Sequence, residues 1–178
     1  MGEIKSTLDI IMEKTKGLTM TDEEKGEFKK QQARGKVKGL YQKFLDGIMD
    51  LDRVKMETAA LGEADPRMIH QLVAEEAIKG IRPGEDNYGG LKILESVAGV
   101  DIEPIKKILA ESERKLEREK VACKGAWREV LQKKGISGSA VIPNLNADPQ
   151  WVARSLKIKE EFEEKIQSVV AEAYTIES

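Results

Sequence analysis

The chain has little of what most enzymatic and metal sites are built from: its 178 residues include one cysteine and one histidine. One cysteine excludes an intramolecular disulfide and any zinc site made of several cysteines. One histidine excludes a metal site with two histidines from this chain, and it argues against a histidine-based catalytic triad. We therefore nominate no catalytic residue, metal ligand or cofactor, and we expect a protein that is not an enzyme.

Long apolar segments are missing as well. No run of apolar residues approaches the roughly 18 that a membrane-spanning helix needs. The charged N-terminal segment does not match a signal peptide. We expect a cytoplasmic protein with no membrane partner.

Aromatic residues are few, with 3 Phe, 2 Trp and 3 Tyr, whereas charged residues make up 35% of the chain and nearly cancel at net −2. High, balanced charge with few aromatics favours long solvated helices. We predict an all-α fold, an elongated helical bundle with long antiparallel helix hairpins and a small helical subcluster. The length is that of a single domain, residues 1–178, with the subcluster at 65–100 and a hairpin at 101–178.

Local signals set the expected ends of the first helices. Apolar spacing predicts an amphipathic helix over residues 3–16. A second helix begins at Thr21, because Thr-Asp-Glu-Glu has the form of a capping box. We predict that it runs to about Ala60, and that Gly35 offers a place for a break or kink inside it.

The later helices begin with recognisable caps. Asp65-Pro66 and Asp148-Pro149 each place an Asp before a Pro at the first helical position. A short helix is predicted near residues 91–98. Asp101 is predicted to cap a long helix that runs to Lys134.

The charge pattern of the second helix is its most unusual feature. Residues 25–43 carry seven Lys or Arg against one Glu, net +6, whereas residues 44–65 carry net −4. On a helical wheel, lysines line one flank and two glycines lie opposite the apolar stripe, which indicates a second contact face. Such a face fits an acidic protein partner, a second copy or a nucleic-acid backbone. The competing interpretation is a solvated face paired with acidic neighbours. The predicted partner-binding residues here are Lys29, Gly35, Lys36, Gly39 and Lys43.

The segment 136–147 is the one stretch that does not resemble a helix. Ala140, Val141 and Ile142 could form a very short strand that pairs with another chain, and we include them among the partner-binding residues. We favour the other interpretation, in which this apolar loop packs over the end of the bundle, because apolar surface left in water is the rarer case.

Two loops rich in small residues, 81–90 and 136–147, raise the alternative of a small-ligand or substrate pocket. Its polar groups would come from Tyr88, Ser137, Ser139 or Asn144. Neither loop has the spacing of a nucleotide-binding motif. We interpret His70 as a surface or half-buried residue and Cys123 as a small buried one.

These observations favour a non-enzymatic helical interaction protein that docks macromolecular partners through helix faces and associates with itself, as a homodimer. The segment 111–120 supports self-association, because its single large apolar residue suits an arm stabilised across a pair of chains. The alternatives are nucleic-acid binding through the basic segment 25–43 and the pocket described above.

Overall fold

We describe a computed structural model of the chain that covers residues 21–138 and 140–175. The helix predicted over residues 3–16 lies outside them. The described residues form an all-α structure without β-strands, which confirms the predicted fold class. The helices are α1 (Asp22–Leu45), α2 (Leu51–Leu61), α3 (Pro66–Ile78), α4 (Tyr88–Ser96), α5 (Glu103–Lys133) and α6 (Pro149–Thr175), with a 3₁₀ turn at Leu145–Ala147.

The predicted second helix is two helices, so its expected run to about Ala60 is wrong. Gly35 lies inside continuous α1, and the break comes at Gly47, which has a φ of 69°. A positive φ is a conformation that glycine adopts at low cost, and it ends the helix there. Asp50 then caps α2 by accepting a hydrogen bond from the Arg53 backbone N–H at 2.8 Å.

Three of the other predicted caps are present, but Asp101 is not the N-cap of α5. The N-cap is Ile102, and Asp101, one residue earlier, accepts from the Glu103 N–H at 3.0 Å. Thr21 and Glu24 form the reciprocal capping box at the start of α1. The Asp65 carboxylate accepts from the Met68 N–H at 2.9 Å, and the Asp148 carboxylate accepts from the Gln150 N–H at 2.9 Å. Each cap satisfies a backbone donor that has no partner inside its helix.

The core is built around α3, which packs against α1, α2, α4 and the C-terminal half of α6. Six of its thirteen residues are buried. The start of α5 adds Ile105, and α6 adds three buried side chains. The largest fully buried side chains are Phe162, Ile69, Leu72, Ile81, Ile93, Leu94, Ile105 and Ile166.

Helices α5 and α6 run antiparallel, because ion pairs join earlier residues of one to later residues of the other. Glu119 pairs with Arg154 at 3.2 Å, Lys115 with Glu161 at 3.8 Å, and Glu111 with Lys165 at 3.7 Å. The segment 111–120, expected to be stabilised across two chains, thus finds its charged partners within its own chain.

Only one end of this helix pair belongs to the core. After Ser112, α5 has no fully buried residue, and α6 has none before Phe162. We call residues 113–161 the distal arm. No third helix of the described residues covers this two-helix arm, so they leave much of its apolar surface exposed.

The described residues of the loop at the tip of the distal arm form no strand within this chain. Pairing of Ala140–Ile142 with another chain stays a prediction. The Val141 N–H donates to the Gly138 carbonyl at 3.2 Å in a turn. Pro143 and Leu145 are buried, whereas Ile142 is exposed. The loop is therefore part packed and part open.

Candidate functional site

The first half of α1 is mostly uncovered by the described residues. Val37 is its first fully buried residue, about four turns into the helix, and Ala33 before it is only partly buried. An ideal Cβ built on Gly35 or Gly39 meets no atom within 4 Å. Both glycines lie opposite Val37 on the wheel. We call the α1 surface with Phe28, Gly35 and Gly39 the glycine face, and the described residues leave it open.

The predicted lysines lie beside this face. Lys29, Lys36 and Lys43 are exposed, and none of them makes an ion pair with another described residue. Arg34, on the other flank, is engaged: its guanidinium donates to Glu75 of α3 at 2.7 Å. On one side of the glycine face, therefore, lie three lysines that form no ion pair with a described residue. On its other side, Arg34 binds α1 to the core.

The structure does not bring the two sets of predicted partner residues together. Helix α1 packs on α2, α3 and α4, whereas Ala140–Ile142 lie at the tip of the distal arm. Sequence periodicity places residues on a helix face, but it does not say which faces meet. Any partner that touched both sets would have to reach along the distal arm.

The two loops proposed as one pocket are also apart. The Gly84 N–H donates to the Glu113 carboxylate at 3.2 Å, which places loop 81–90 at that level of α5. The 136–147 loop follows about 22 residues later, roughly 33 Å along the helix. The described residues of these loops therefore form no shared pocket, and Tyr88 is exposed.

A cleft of about 520 Å³ between α1, α3 and α6 was not predicted. Its floor is apolar, with Ile78, Ile166 and Val170, and its rim is charged. The rim charges are paired with each other: Arg34 with Glu75 at 2.7 Å and Arg82 with Glu163 at 3.6 Å. No local sequence pattern predicts this cleft, because its walls come from residues far apart in the chain.

Asp148 organises a second groove, where α5 and α6 begin to separate near the tip. Its carboxylate accepts from the Cys123 thiol at 3.1 Å and from the Trp127 indole N–H at 2.8 Å. These hydrogen bonds lower the pKa of Asp148 to about 2, and the carboxylate in turn raises the pKa of Cys123. A raised pKa keeps the thiol protonated at neutral pH, which is the opposite of an activated nucleophile.

Other features that could indicate chemistry are not found in the described part of the chain. His70 is half-buried, which agrees with its interpretation as a surface or half-buried residue. Within residues 21–138 and 140–175 there is no group of three His, Cys, Asp or Glu that could hold a metal ion. Over the same residues, no helix has the length and apolar character to cross a membrane.

Comparisons with known proteins add no relative. No protein-family model matches the chain, and searches of curated proteins and of solved structures find no similar protein. The functional argument therefore rests on the surfaces described above.

Proposed function

We propose that this protein is a non-enzymatic helical interaction protein that docks an acidic macromolecular partner on the glycine face of α1. One observation carries the proposal: Gly35 and Gly39 have open space above them, in a stretch of helix that the rest of the described chain does not cover. A glycine inside a helix costs about 1 kcal/mol relative to alanine, and nothing packed on this face offsets that cost.

The chemistry of the face favours a partner that comes close. The absence of side chains at two positions one helical turn apart lets a second helix or extended chain approach the α1 backbone. Lys29, Lys36 and Lys43 then lie at the edge of the contact, where they would attract carboxylates. Exposed cations of this kind contribute more to association rate and partner choice than to affinity.

The test uses substitutions that strengthen the helix while they fill the face. Gly35→Leu and Gly39→Leu each replace a poor helix former by a good one, so both variants are expected to stay folded. Gly26→Leu is the matched control, because Gly26 is also in α1 with no atom near its Cβ position but lies on the opposite side of the helix.

The measurement is photo-crosslinking from a reactive residue placed at Lys36, in cells. We expect a crosslinked acidic protein, or a second copy, that persists in Gly26→Leu and disappears in Gly35→Leu and Gly39→Leu. The proposal fails if the face yields no crosslink and sedimentation shows a monomer at tens of micromolar.

Nucleic-acid binding by segment 25–43 is the second candidate, because Lys29, Lys36 and Lys43 are exposed and carry no ion pairs among the described residues. Three lysines on phosphates predict that log K falls with log salt with a slope of about −3 on duplex DNA. A gel-shift titration at low salt with Lys29→Gln, Lys36→Gln and Lys43→Gln combined should then lose binding. Absence of any shift for the unaltered protein would exclude this candidate.

A further inference from the structure

One face of α6 is covered by the core at one end and uncovered at the other. Val152, Leu156, Lys159, Glu163, Ile166 and Val170 follow one another at spacings of four and three residues, so they form a single stripe. Ile166 and Val170 are buried against the core, whereas Val152 and Leu156 are 45% and 53% exposed. The stripe continues with the same spacing beyond the point where α3 stops covering it. None of the described residues buries this end of the stripe.

A surface of similar spacing and opposite charge lies on α2. Asp52, Met56 and Ala59 are exposed on α2 at spacings of four and three residues, and Met56 is 73% exposed. Glu63 is exposed in the turn that follows the end of the helix at Leu61. Ile48, just before the helix, is exposed as well. We call this the α2 face. On the α2 face, apolar side chains lie between acidic ones. On the distal arm, apolar side chains lie beside a lysine, so the charges of the two surfaces are opposite.

The net charges of the two regions match in size and oppose in sign. The distal arm, residues 113–161, has eleven Lys or Arg and seven Asp or Glu, net +4. The segment 46–65, which contains the α2 face, has two Lys or Arg and six Asp or Glu, net −4. Like-charged surfaces repel one another on association, whereas these two attract.

The two faces cannot meet within one chain. Gly62 at the end of α2 lies against Pro66 at the start of α3, and Arg67 donates to the Tyr174 carbonyl near the C-terminus of α6. The C-terminal end of α2 is thus near the C-terminal end of α6. Leu156 is eighteen residues before Tyr174, about 27 Å along α6.

We infer that the distal arm of one copy docks on the α2 face of a second copy of this chain, with Val152 and Leu156 against Met56 and with Lys159 near the acidic residues. A two-fold axis makes each copy give one arm and accept one, so that a closed dimer contains the contact twice. The inference shares with the proposed function only the premise that this chain associates with itself. The surfaces that it uses are not the glycine face.

The first test compares two exposed apolar residues of the same arm by sedimentation equilibrium of the full chain. We expect the unaltered protein to dimerise and Leu156→Glu to weaken the dimer about tenfold or more, because a charge would be buried in each contact. Val121→Glu is the control. Val121 is 59% exposed and lies two residues after Glu119, about 200° around α5, on the side away from α6. It should leave the dimer intact.

The second test exchanges charges across the contact and does not depend on an apolar substitution. Lys159→Glu alone places like charges in both contacts of a homodimer, and so does Glu63→Lys alone. In an equal mixture of these two variants, every contact of a heterodimer again pairs opposite charges. We expect each variant alone to dimerise more weakly than the mixture, with a difference that shrinks in high salt.

Three results would overturn the inference: a monomeric unaltered protein, equal dimerisation of Leu156→Glu and the unaltered chain, or no recovery in the mixture. Binding of a monomer to anionic phosphatidylserine vesicles through Leu156 would assign the arm to a lipid surface instead. A monomer that still crosslinks a partner through Lys36 would refute this inference and leave the proposed function standing.

Discussion

Phe162 marks the point where α6 enters the core, and removing its ring tests the division between core and distal arm. Its side chain is 0% exposed. Phe162→Ala removes the apolar burial of the ring and leaves a cavity, which together cost about 3–5 kcal/mol in a site that cannot collapse. Since domains of this kind are stable by about 5–15 kcal/mol, the variant should lose a large fraction of its folding free energy.

Phe28→Ala is the matched control, because it makes the same chemical change in the uncovered half of α1. Phe28 is 38% exposed, so we expect a loss below about 1 kcal/mol. The assay is urea unfolding followed by circular dichroism at 222 nm. With an m-value of about 2 kcal/mol/M, Phe162→Ala should lower the midpoint by roughly 1.5–2.5 M. Equal midpoints for the two variants would refute the assignment of the core.

Three further predictions concern named contacts. Asp148→Asn removes the carboxylate that raises the pKa of Cys123, so the thiol should react faster with a disulfide reagent at pH 8. An unchanged rate would contradict the hydrogen bond between the Cys123 thiol and the Asp148 carboxylate. The pKa of Asp148 is lowered to about 2 in the fold, so its contribution to stability is present above pH 4 and is lost as the pH falls toward 2. The stability of Asp148→Asn should therefore fall less steeply with acid than that of the unaltered protein. Identical profiles of stability against pH for the two proteins would contradict this prediction. Gly80→Ala would place a Cβ 2.8 Å from the Tyr41 hydroxyl and should lower the melting temperature, whereas Gly35→Ala enters open space and should raise it; shifts of the same sign would show that one environment is misassigned.

Helix starts were the most predictable part of the fold. Thr21, Asp65 and Asp148 cap helices as expected, because a capping side chain bonds to a backbone N–H only two or three residues away. The end of the long helix was equally readable, since Lys133 closes α5 and Gly135 follows with a φ of 77°. These signals are local, so they need no knowledge of the tertiary structure.

The break in the second helix was not placed correctly. The predicted helix contains four glycines, Gly26, Gly35, Gly39 and Gly47. Each lowers helix stability, and propensity alone does not rank them. Packing decides between them. Val37 and Tyr41 hold α1 against the core on either side of Gly39, whereas no described atom lies near the Cβ position of Gly47. Met49 and Val54 are buried in the core after the break. Burial of α2 therefore selects the later glycine.

For the predicted partner-binding residues too, the sequence predicted the helix face but not whether another helix covers it. Helical spacing alone put Gly35 and Gly39 opposite the apolar stripe and the lysines on one flank, and all of them are exposed. Whether another part of the chain covered that face was a question of which helices pack together, and no spacing rule answers it. The uncovered end of the α6 stripe was missed for the same reason.

The sequence by itself determined the all-α class, the caps and the faces of each helix, because backbone hydrogen bonding and side-chain periodicity act within a few residues. Tertiary structure decided which of those faces are buried. The Arg34–Glu75 ion pair joins residues 41 positions apart, and the cleft beside it has walls from three helices. Such contacts depend on the path of the whole chain, so the open surfaces of this protein were visible only after its helices had been placed.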